Sequence, residues 1–260
     1  YPPTLLNMAP TLDLGWLQLT LLLLAGMAAG FVNTLAGGGS LLTIPALLFL
    51  GVPAQLANGT NRIAILLQNV ISTWRFHRNG AIDWKVVPGL AVPGLAGAVV
   101  GALVAVELPP QVFDYALGGV LVVVLITLFV PRSALEELAN RRMPRGLRPL
   151  LFFLAGAYAG FIQAGVGFLL IAAITVSLGV NLVRTNALKV LIILLQTAVA
   201  LVIFAIYGSV LWLAGLLLAV GTATGAWLGV RFAVRRGAGA VRWVVVAAAV
   251  VTALRLFGVI

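Results

Sequence analysis

The fold is determined by a stretch in which a glycine-rich break separates two apolar segments: GFVNTLAGGGSLLTIPALLFLG, residues 30–51. The chain is apolar from about residue 14 up to the break, and a second apolar segment covers about residues 40–50. A helix needs about 20 apolar residues to cross a bilayer. The second segment is too short to cross alone, so we expect a half-helix or a re-entrant helix.

A second break of the same kind, AGVG at residues 164–167, precedes a short apolar segment at about residues 167–179. The residues around the two breaks agree in one register, interrupted only by a two-residue insertion in the first half. The two halves of the chain therefore repeat each other. The matched positions that are not simply apolar include Gly26 and Gly156, Gly30 and Gly160, Asn58 and Asn186, and Gln68 and Gln196.

The composition places most of the chain in lipid. Hydrophobic residues make up 62% of the 260 residues, charged residues make up 8%, and the mean hydropathy is +1.16. Soluble domains carry about 25% charged residues. We therefore predict an all-α polytopic membrane protein with about eight full spans and two short broken or re-entrant helices. The full spans are expected at about 14–35, 56–74, 86–106, 111–130, 149–163, 185–207, 210–231 and 239–258.

The basic residues predict the orientation of the spans. Lys and Arg are concentrated in the loops at about 75–85, 131–148 and 231–242, whereas the loops at 107–110 and 206–210 contain neither. Cytoplasmic loops carry an excess of Lys and Arg. We expect a first repeat at 1–130, a cytoplasmic Arg-rich linker at 131–148, and a second repeat at 149–260. Both termini are then outside, and the two repeats have inverted topology.

Inverted repeats with broken helices are typical of secondary transporters, whose substrate site lies near the membrane midplane. Glycines let the backbone approach a ligand, and the N-terminus of a half-helix attracts anions. Small residues and amides at such breaks also serve helix packing, which is the alternative interpretation. The candidate substrate-binding residues are Asn33, Gly37, Gly38, Gly39, Ser40, Gln163, Gly165 and Gly167.

Polar residues inside the spans that follow the breaks form a second group. An ionisable residue inside a span costs about 2.5–3.5 kcal/mol on insertion scales, so its default interpretation is functional. Two cations, one in each half, suit an anion, although each alone is also compatible with snorkelling to the interface. No Asp or Glu lies inside a span, which disfavours a carboxylate relay and a cation site. The second-line or gating residues are Asn58, Asn61, Arg62, Asn186 and Lys189.

Several classes of function lack the residues they need. The chain has no cysteine, and its one histidine, His77, lies in a charged loop. No nucleophile–base pair or cluster of metal ligands is visible, so we expect no enzyme, no cofactor and no metal site. The net charge of +10 is explained by the basic loops rather than by nucleic-acid binding.

The stretch at residues 30–45 resembles the TauE/SafE family of sulfite and sulfonate exporters. The agreement continues through residues 50–53, 57–61 and 160–170, and it covers nearly the whole chain. The resemblance implies a permease in the inner membrane of a prokaryote. It also implies that this permease exports sulfite, sulfoacetate or a related sulfur oxoanion, and the inverted repeats predict alternating access around the midplane site.

The expected partners are the small anionic substrate and the lipid bilayer, without nucleic acid, and a homodimer stays open. Two alternative functions also stay open. One is a channel-like or uptake permease for another small anion, such as a carboxylate. The other is a membrane subunit that docks a soluble enzyme of sulfur metabolism through the Arg-rich linker.

Overall fold

The structure, a computed structural model, describes residues 15–36, 40–128 and 144–233. This part of the chain contains helices and no strand. A 3-10 helix at Arg145–Leu147 precedes the second set of helices. The α-helices are α1 Trp16–Ala36, α2 Ser40–Phe49, α3 Ala54–Arg78, α4 Val87–Glu107, α5 Pro110–Leu128, α6 Arg148–Phe161, α7 Val166–Leu178, α8 Leu182–Ile206 and α9 Trp212–Ala233.

The all-helical class predicted from the sequence is confirmed for these residues. Each apolar segment expected between residues 15 and 233 forms one of the helices, and the largest shift is at α3, which ends at residue 78 instead of about 74. The predicted span at 239–258 lies outside the described residues, as does most of the linker at 131–148.

Membrane-crossing ability, judged by length and composition alone, is clear for two helices within the described ranges: Val87–Glu107 and Val183–Ile206. The helix α3 is long enough at 25 residues, but its first half is rich in polar side chains. Large apolar side chains also lie on the outer surface, where Val92, Val123 and Val202 are 64%, 61% and 58% exposed. An apolar outer surface is what lipid contact requires.

The second break has a defined backbone course. The helix α6 ends at Phe161, and Ile162 is extended, with φ −135° and ψ 121°. Gly165 then adopts a left-handed conformation with φ 74°, and α7 begins at the next residue. Glycine adopts this conformation without the strain that a Cβ atom would cause. The glycine predicted to break the helix therefore turns the chain into α7.

Contacts between helix ends define two sides of the protein. Tyr207, just after α8, donates its hydroxyl to Glu107 Oε1 at the end of α4, at 3.3 Å. Gln55, at the start of α3, donates to the carbonyl oxygens of Ala105 and Leu108 at 3.0 and 2.7 Å. The start of α3 and the ends of α4 and α8 therefore share one side. The opposite ends of these helices and their loops carry Arg75, Arg78, Lys85 and Arg184.

The helices α4 and α6 approach so closely that backbone touches backbone. A Cβ atom added to Gly97 would lie 2.0 Å from the carbonyl oxygen of Phe153, and one added to Gly101 would lie 1.9 Å from that of Ala157. Because both positions advance by four residues in the same direction, the two helices run parallel. Small residues at every fourth position are typical of tightly packed membrane helices.

The helices α1 and α9 form a second parallel pair of the same kind. A Cβ atom on Gly26 would lie 2.8 Å from the carbonyl oxygen of Leu218, and one on Gly30 would lie 2.1 Å from that of Thr222, so both positions advance by four residues in the same direction. In return, a Cβ atom on Gly225 of α9 would lie 1.9 Å from the carbonyl oxygen of Met27. Gly26 and Gly30 in α1 are matched in the sequence repeat by Gly156 and Gly160 in α6. All four of these glycines lie at the two parallel contacts.

The two halves exchange equivalent contacts. The first helix of the first half, α1, packs on α9, the fourth helix of the second half, and α6 packs on α4 in the reciprocal way. The third helices, α3 and α8, pack on each other, and the start of α3 lies beside Phe204 near the end of α8. Both third helices contribute to the two apolar clusters of the core, so they form the centre of the described structure.

The glycine contacts predict a selective loss of stability. We expect Gly101→Ala and Gly225→Ala to lower the free energy of unfolding by about 1–3 kcal/mol each, because the new methyl group meets a backbone carbonyl that cannot move alone. Thermal melting of the purified protein in detergent measures the effect. Gly119→Ala in α5 is the matched control, since nothing lies within 4 Å of its Cβ position. Equal melting temperatures for all three variants and the unmodified protein would contradict the packing.

Candidate functional site

The start of α2, directly after the first glycine-rich break, lies against the second break. Ser40, the first residue of α2, donates its Oγ hydroxyl to the carbonyl oxygen of Gln163, in the second break, at 3.3 Å. These residues are 123 positions apart in the chain. We call this region the junction and define it by Ser40, Gln163 and the side chains of α3 that contact them or the adjoining helices. Two of the predicted substrate-binding residues therefore meet, one from each half.

The C-terminus of α6 ends inside the protein, where its last carbonyl groups have no partner within the helix. Two side chains of α3 supply the donors. Arg62 Nη1 donates to the carbonyl oxygen of Ala159 at 3.1 Å, and Arg62 Nη2 donates to that of Gly160. Asn58 Nδ2 donates to the carbonyl oxygen of Phe161 at 2.8 Å. The helix end is therefore capped by another helix.

Arg62 is fully buried, with 0% of its surface exposed. Its planar guanidinium reaches two carbonyl groups at once, which a lysine ammonium cannot do with the same geometry. Its positive charge lies at a helix C-terminus, where the helix dipole is negative. The ring of Phe204 covers one face of the Arg62 guanidinium, whose central carbon lies 4.5 Å from the ring centroid. Arg62 is thus stabilised without a carboxylate partner on the neighbouring described helices.

The second break is held by side-chain hydrogen bonds. Gln163 Oε1 accepts from Arg62 Nη1 at 3.3 Å, and its Nε2 donates to the hydroxyl of Thr197 on α8. Tyr158 donates its hydroxyl to the carbonyl oxygen of Ala164. Both atoms of the Gln163 amide are therefore used in fixing the break between α3 and α8.

Three buried atoms on one turn of α3 have no hydrogen-bond partner. They are Asn58 Oδ1, Asn61 Nδ2 and Arg62 Nε, and all three residues are 0% exposed. The other end of the Asn61 amide accepts from Thr43 Oγ1 on α2 at 2.5 Å. Positions three and four residues apart share one face of a helix. An unpaired buried polar atom costs about 1–3 kcal/mol, so this turn is suited to a polar ligand.

The start of α7 adds further donors close to Gln163. Gly165 precedes the helix and has no side chain, so no side chain caps its first N–H groups. Gly165 and Gly167 are both buried. The first N–H groups of a helix have no partner within it and carry the positive end of the helix dipole.

The structure separates the second-line residues predicted from the sequence into two places. Asn58, Asn61 and Arg62 line the junction itself. Lys189 Nζ instead donates to Asn186 Oδ1, one turn earlier on α8, at 3.0 Å. Lys189 precedes Thr197 by eight residues, which is about 12 Å along a helix. The Lys189–Asn186 pair therefore lies away from the junction, toward the side with the basic loops.

The remaining predicted residues are placed as follows. Asn33 is in the last turn of α1 and is partly buried. Gly37, Gly38 and Gly39 lie outside the described residues. Thr43, Tyr158 and Thr197 contact the junction but were not predicted. The only signal for Thr43 was its position three residues after Ser40, and Thr197 follows the repeat-matched Gln196.

A metal site has no support in the residues that the structure describes, because they contain no group of three His, Cys, Asp or Glu side chains suited to a metal ion. The donors at the junction are amides, a hydroxyl, a guanidinium and backbone N–H groups. This set is suited to hydrogen bonding with an anion rather than to holding a metal cation.

Comparison with known proteins defines the class of the chain. It matches the family model described as "Sulfite exporter TauE/SafE" over residues 22–256. The match covers most of the chain, so the chain belongs to the TauE/SafE family, and the resemblance seen in the sequence is confirmed. This is a family of membrane transporters, and the chain is a membrane protein of that type.

Individual relatives agree with this class. A "Probable membrane transporter protein ORF9" of Sinorhizobium sp is 30% identical over 94% of this chain and 94% of its own length. A "Probable membrane transporter protein" of Haemophilus influenzae is 29% identical, with 90% of this chain and 92% of the relative covered. The Escherichia coli K12 protein YfcA, with the same description, is 28% identical, with 93% and 90% covered. No solved structure matches the chain significantly.

The capping of α6 predicts that Arg62 is needed for folding. We expect Arg62→Met to lower the free energy of unfolding by about 1–3 kcal/mol for each carbonyl group left without a donor. Arg62→Lys should restore part of this loss, because an ammonium group can serve one of the carbonyl groups. Thermal melting in detergent measures both variants. Arg75→Met, at an exposed position of the same helix, is the control. A wild-type melting temperature for Arg62→Met would contradict the capping role.

Proposed function

We propose that the protein is a secondary transporter that binds a small sulfur oxoanion at the junction and moves it across the cytoplasmic membrane by alternating access. The observation that carries the proposal is the contact of the start of α2 with the second break, beside three unpartnered polar atoms of α3. The donors of this turn and the positive N-terminal end of α7 are complementary to an anion. Asn33 and the glycines at residues 37–39 complete the proposed site at the first break.

The exchange of contacts between the halves supports an inverted repeat. The pairs α1–α9 and α4–α6 are equivalent by position, and both run parallel. Because the third helices α3 and α8 run in opposite directions, the second half is upside down relative to the first. Such repeats allow one bundle to rock against the other around a central site. The helices α1, α3, α4, α5, α8 and α9 have 19–25 residues, which suits full spans.

The orientation follows from the side on which the basic residues lie. Arg75, Arg78, Lys85 and Arg184 share one side with the start of α6, whereas Glu107 lies on the other side. The positive-inside rule makes the basic side cytoplasmic. The first repeat, 1–130, then begins outside the inner membrane, the linker 131–148 is cytoplasmic, and the second repeat, 149–260, begins inside.

The substrate class is supported by charge and by the family. The described parts of α2, α3, α6 and α7 contain no Asp or Glu, which disfavours amines and metal cations. The name of the family model supports sulfite and export. The absence of a nucleophile–base pair in these helices leaves transport, not catalysis, as their role. In this scheme, the Lys189–Asn186 pair is a gate that the anion passes on the cytoplasmic side.

Counterflow in proteoliposomes tests the proposal. We expect the purified full chain to exchange labelled sulfite in a saturable manner, and acetate and lactate not to compete. Competition by carboxylates would instead favour a permease for other acids. Failure of the pure chain to transport any anion would favour the role of a subunit that docks a soluble enzyme.

The same assay tests the site. We expect Asn61→Leu to lower sulfite flux about tenfold or more, since loss of one hydrogen bond of about 1.4 kcal/mol has that effect on binding. Asn69→Leu is the matched control, because Asn69 is also buried in the same helix, at 5% exposed, but donates to the carbonyl oxygen of Ile65 in its own helix. Equal flux through folded Asn61→Leu and Asn69→Leu proteins would exclude Asn61 from the site.

A further inference from the structure

We propose that the junction binds its oxoanion as a singly charged form that keeps one hydroxyl proton, so that the transported species is hydrogen sulfite rather than the sulfite dianion. The inference rests on the proposed function and narrows its substrate to one protonation state. Two independent features carry it. They are the chemical character of the unpartnered atoms on α3 and the total charge at the junction.

The unpartnered atoms include an acceptor as well as donors. Asn58 uses its Nδ2 to donate to the carbonyl oxygen of Phe161 at 2.8 Å, so the atom left free is Oδ1, which only accepts. The free atom of Arg62 is Nε, which only donates. Asn61 Nδ2 adds a second free donor on the same face.

A fully deprotonated oxoanion has only acceptors. It would satisfy Arg62 Nε and Asn61 Nδ2, but it would place oxygen lone pairs against Asn58 Oδ1. A monoanion with one hydroxyl group and two further oxygens offers a complementary group to each kind of free atom, because its O–H donates to an acceptor such as Asn58 Oδ1 and its other oxygens accept. A buried polar group that stays unpaired is costly, so the acceptor discriminates between the two forms.

The charge at the junction also matches a monoanion. Arg62 is the one Lys, Arg, His, Asp or Glu side chain in residues 54–65 of α3, and α2, α7 and the last two turns of α6 contain none of these five residue types. Helix ends carry partial charges of about half a unit, negative at the C-terminus and positive at the N-terminus. The C-terminus of α6 and the N-termini of α2 and α7 meet here, so partial charges of both signs adjoin Arg62. Arg62 supplies the one full positive charge of these segments.

A dianion at this place would leave one uncompensated negative charge in a buried region, which is strongly disfavoured. A monoanion leaves none. The consequence for transport is that every anion carries its own proton. No covalent bond to the protein is made or broken. The missing carboxylate relay is then not needed, because the proton crosses the membrane as part of the substrate.

Titratable side chains on the helices around the junction require a control for pH. Tyr158 donates its hydroxyl to Ala164 in the second break, Asp114 lies half-buried on α5, and Lys189 lies on α8 with Asn186. Glu107 lies at the outer end of α4 and accepts from Tyr207. A change in their ionisation would alter the binding of any anion. Methanesulfonate separates the two effects, since it remains a monoanion over the whole range and has no O–H group.

Calorimetric titration of the purified full chain tests the inference. Sulfite, methanesulfonate and sulfate are titrated at pH values from one unit below to two units above the second ionisation of sulfite. We expect the apparent Kd for total sulfite to rise about tenfold per pH unit above that ionisation, as the binding form becomes rarer. The Kd for methanesulfonate should not change with pH, and sulfate should show no binding.

The outcomes separate the inference from the proposed function. Sulfite binding that is independent of pH, or sulfate binding of equal strength, overturns the monoanion inference and leaves an anion transporter. The absence of sulfite binding at every pH overturns the proposed function itself, and the inference with it. A pH dependence shared by sulfite and methanesulfonate assigns the titration to the protein, which also overturns the inference.

Substitution of Asn58 tests the contribution of its acceptor atom, Oδ1. We expect Asn58→Leu to weaken hydrogen sulfite binding about tenfold to hundredfold, in line with the loss of one buried hydrogen-bond partner, and to weaken methanesulfonate binding less. Asn69→Leu should leave the ratio of the two Kd values unchanged. An unchanged ratio in folded Asn58→Leu protein would overturn the role of the acceptor. If that variant does not fold, the pH dependence of sulfite binding to the unmodified protein decides whether the inference holds.

Discussion

A helix that ends inside a membrane protein leaves carbonyl groups that must find donors away from water. The end of α6 depends on this constraint, and the side chains of α3 satisfy it: Arg62 reaches Ala159 and Gly160, and Asn58 reaches Phe161. Because the cap comes from a helix of the other half, it ties the break in the second half to α3. Gln163 and Ser40 then extend the same connection to α8 and α2. The position of the junction follows from the cap.

The cap also explains why a polar turn is placed at the centre of an apolar protein. Each of its side chains uses one end to hold a helix or its neighbour and keeps another atom free, at Asn58 Oδ1, Asn61 Nδ2 and Arg62 Nε. Under the proposed function, the same residues therefore serve both structure and recognition. A ligand that pairs with the free atoms would complete a network that is otherwise only partly satisfied, and partly satisfied buried networks are unfavourable.

The helices were largely predictable, because long apolar segments bounded by glycine, proline and charge mark helix ends directly. The matched glycines Gly26, Gly30, Gly156 and Gly160 were visible in the sequence, and the structure places all four at the two close helix contacts. The partners of Arg62 were not predictable, since the nearest lies 97 residues away in the chain and is set by packing. For the same reason, the sequence grouped Arg62 with Lys189, whereas only Arg62 lies at the junction. Thr43 and Thr197 carry too little signal among apolar neighbours to be found by pattern alone.

The central claim is that the two breaks and the polar turn of α3 together form the anion site. Selenite has the same shape and charge states as sulfite, and its selenium scatters anomalously. An anomalous difference map from crystals of the full chain grown with selenite therefore tests the claim most directly. The account predicts one selenium peak beside Gln163, at a position from which the selenite oxygens reach Asn58, Asn61 and Arg62. A peak at Lys189 and Asn186, with none at the junction, would contradict it.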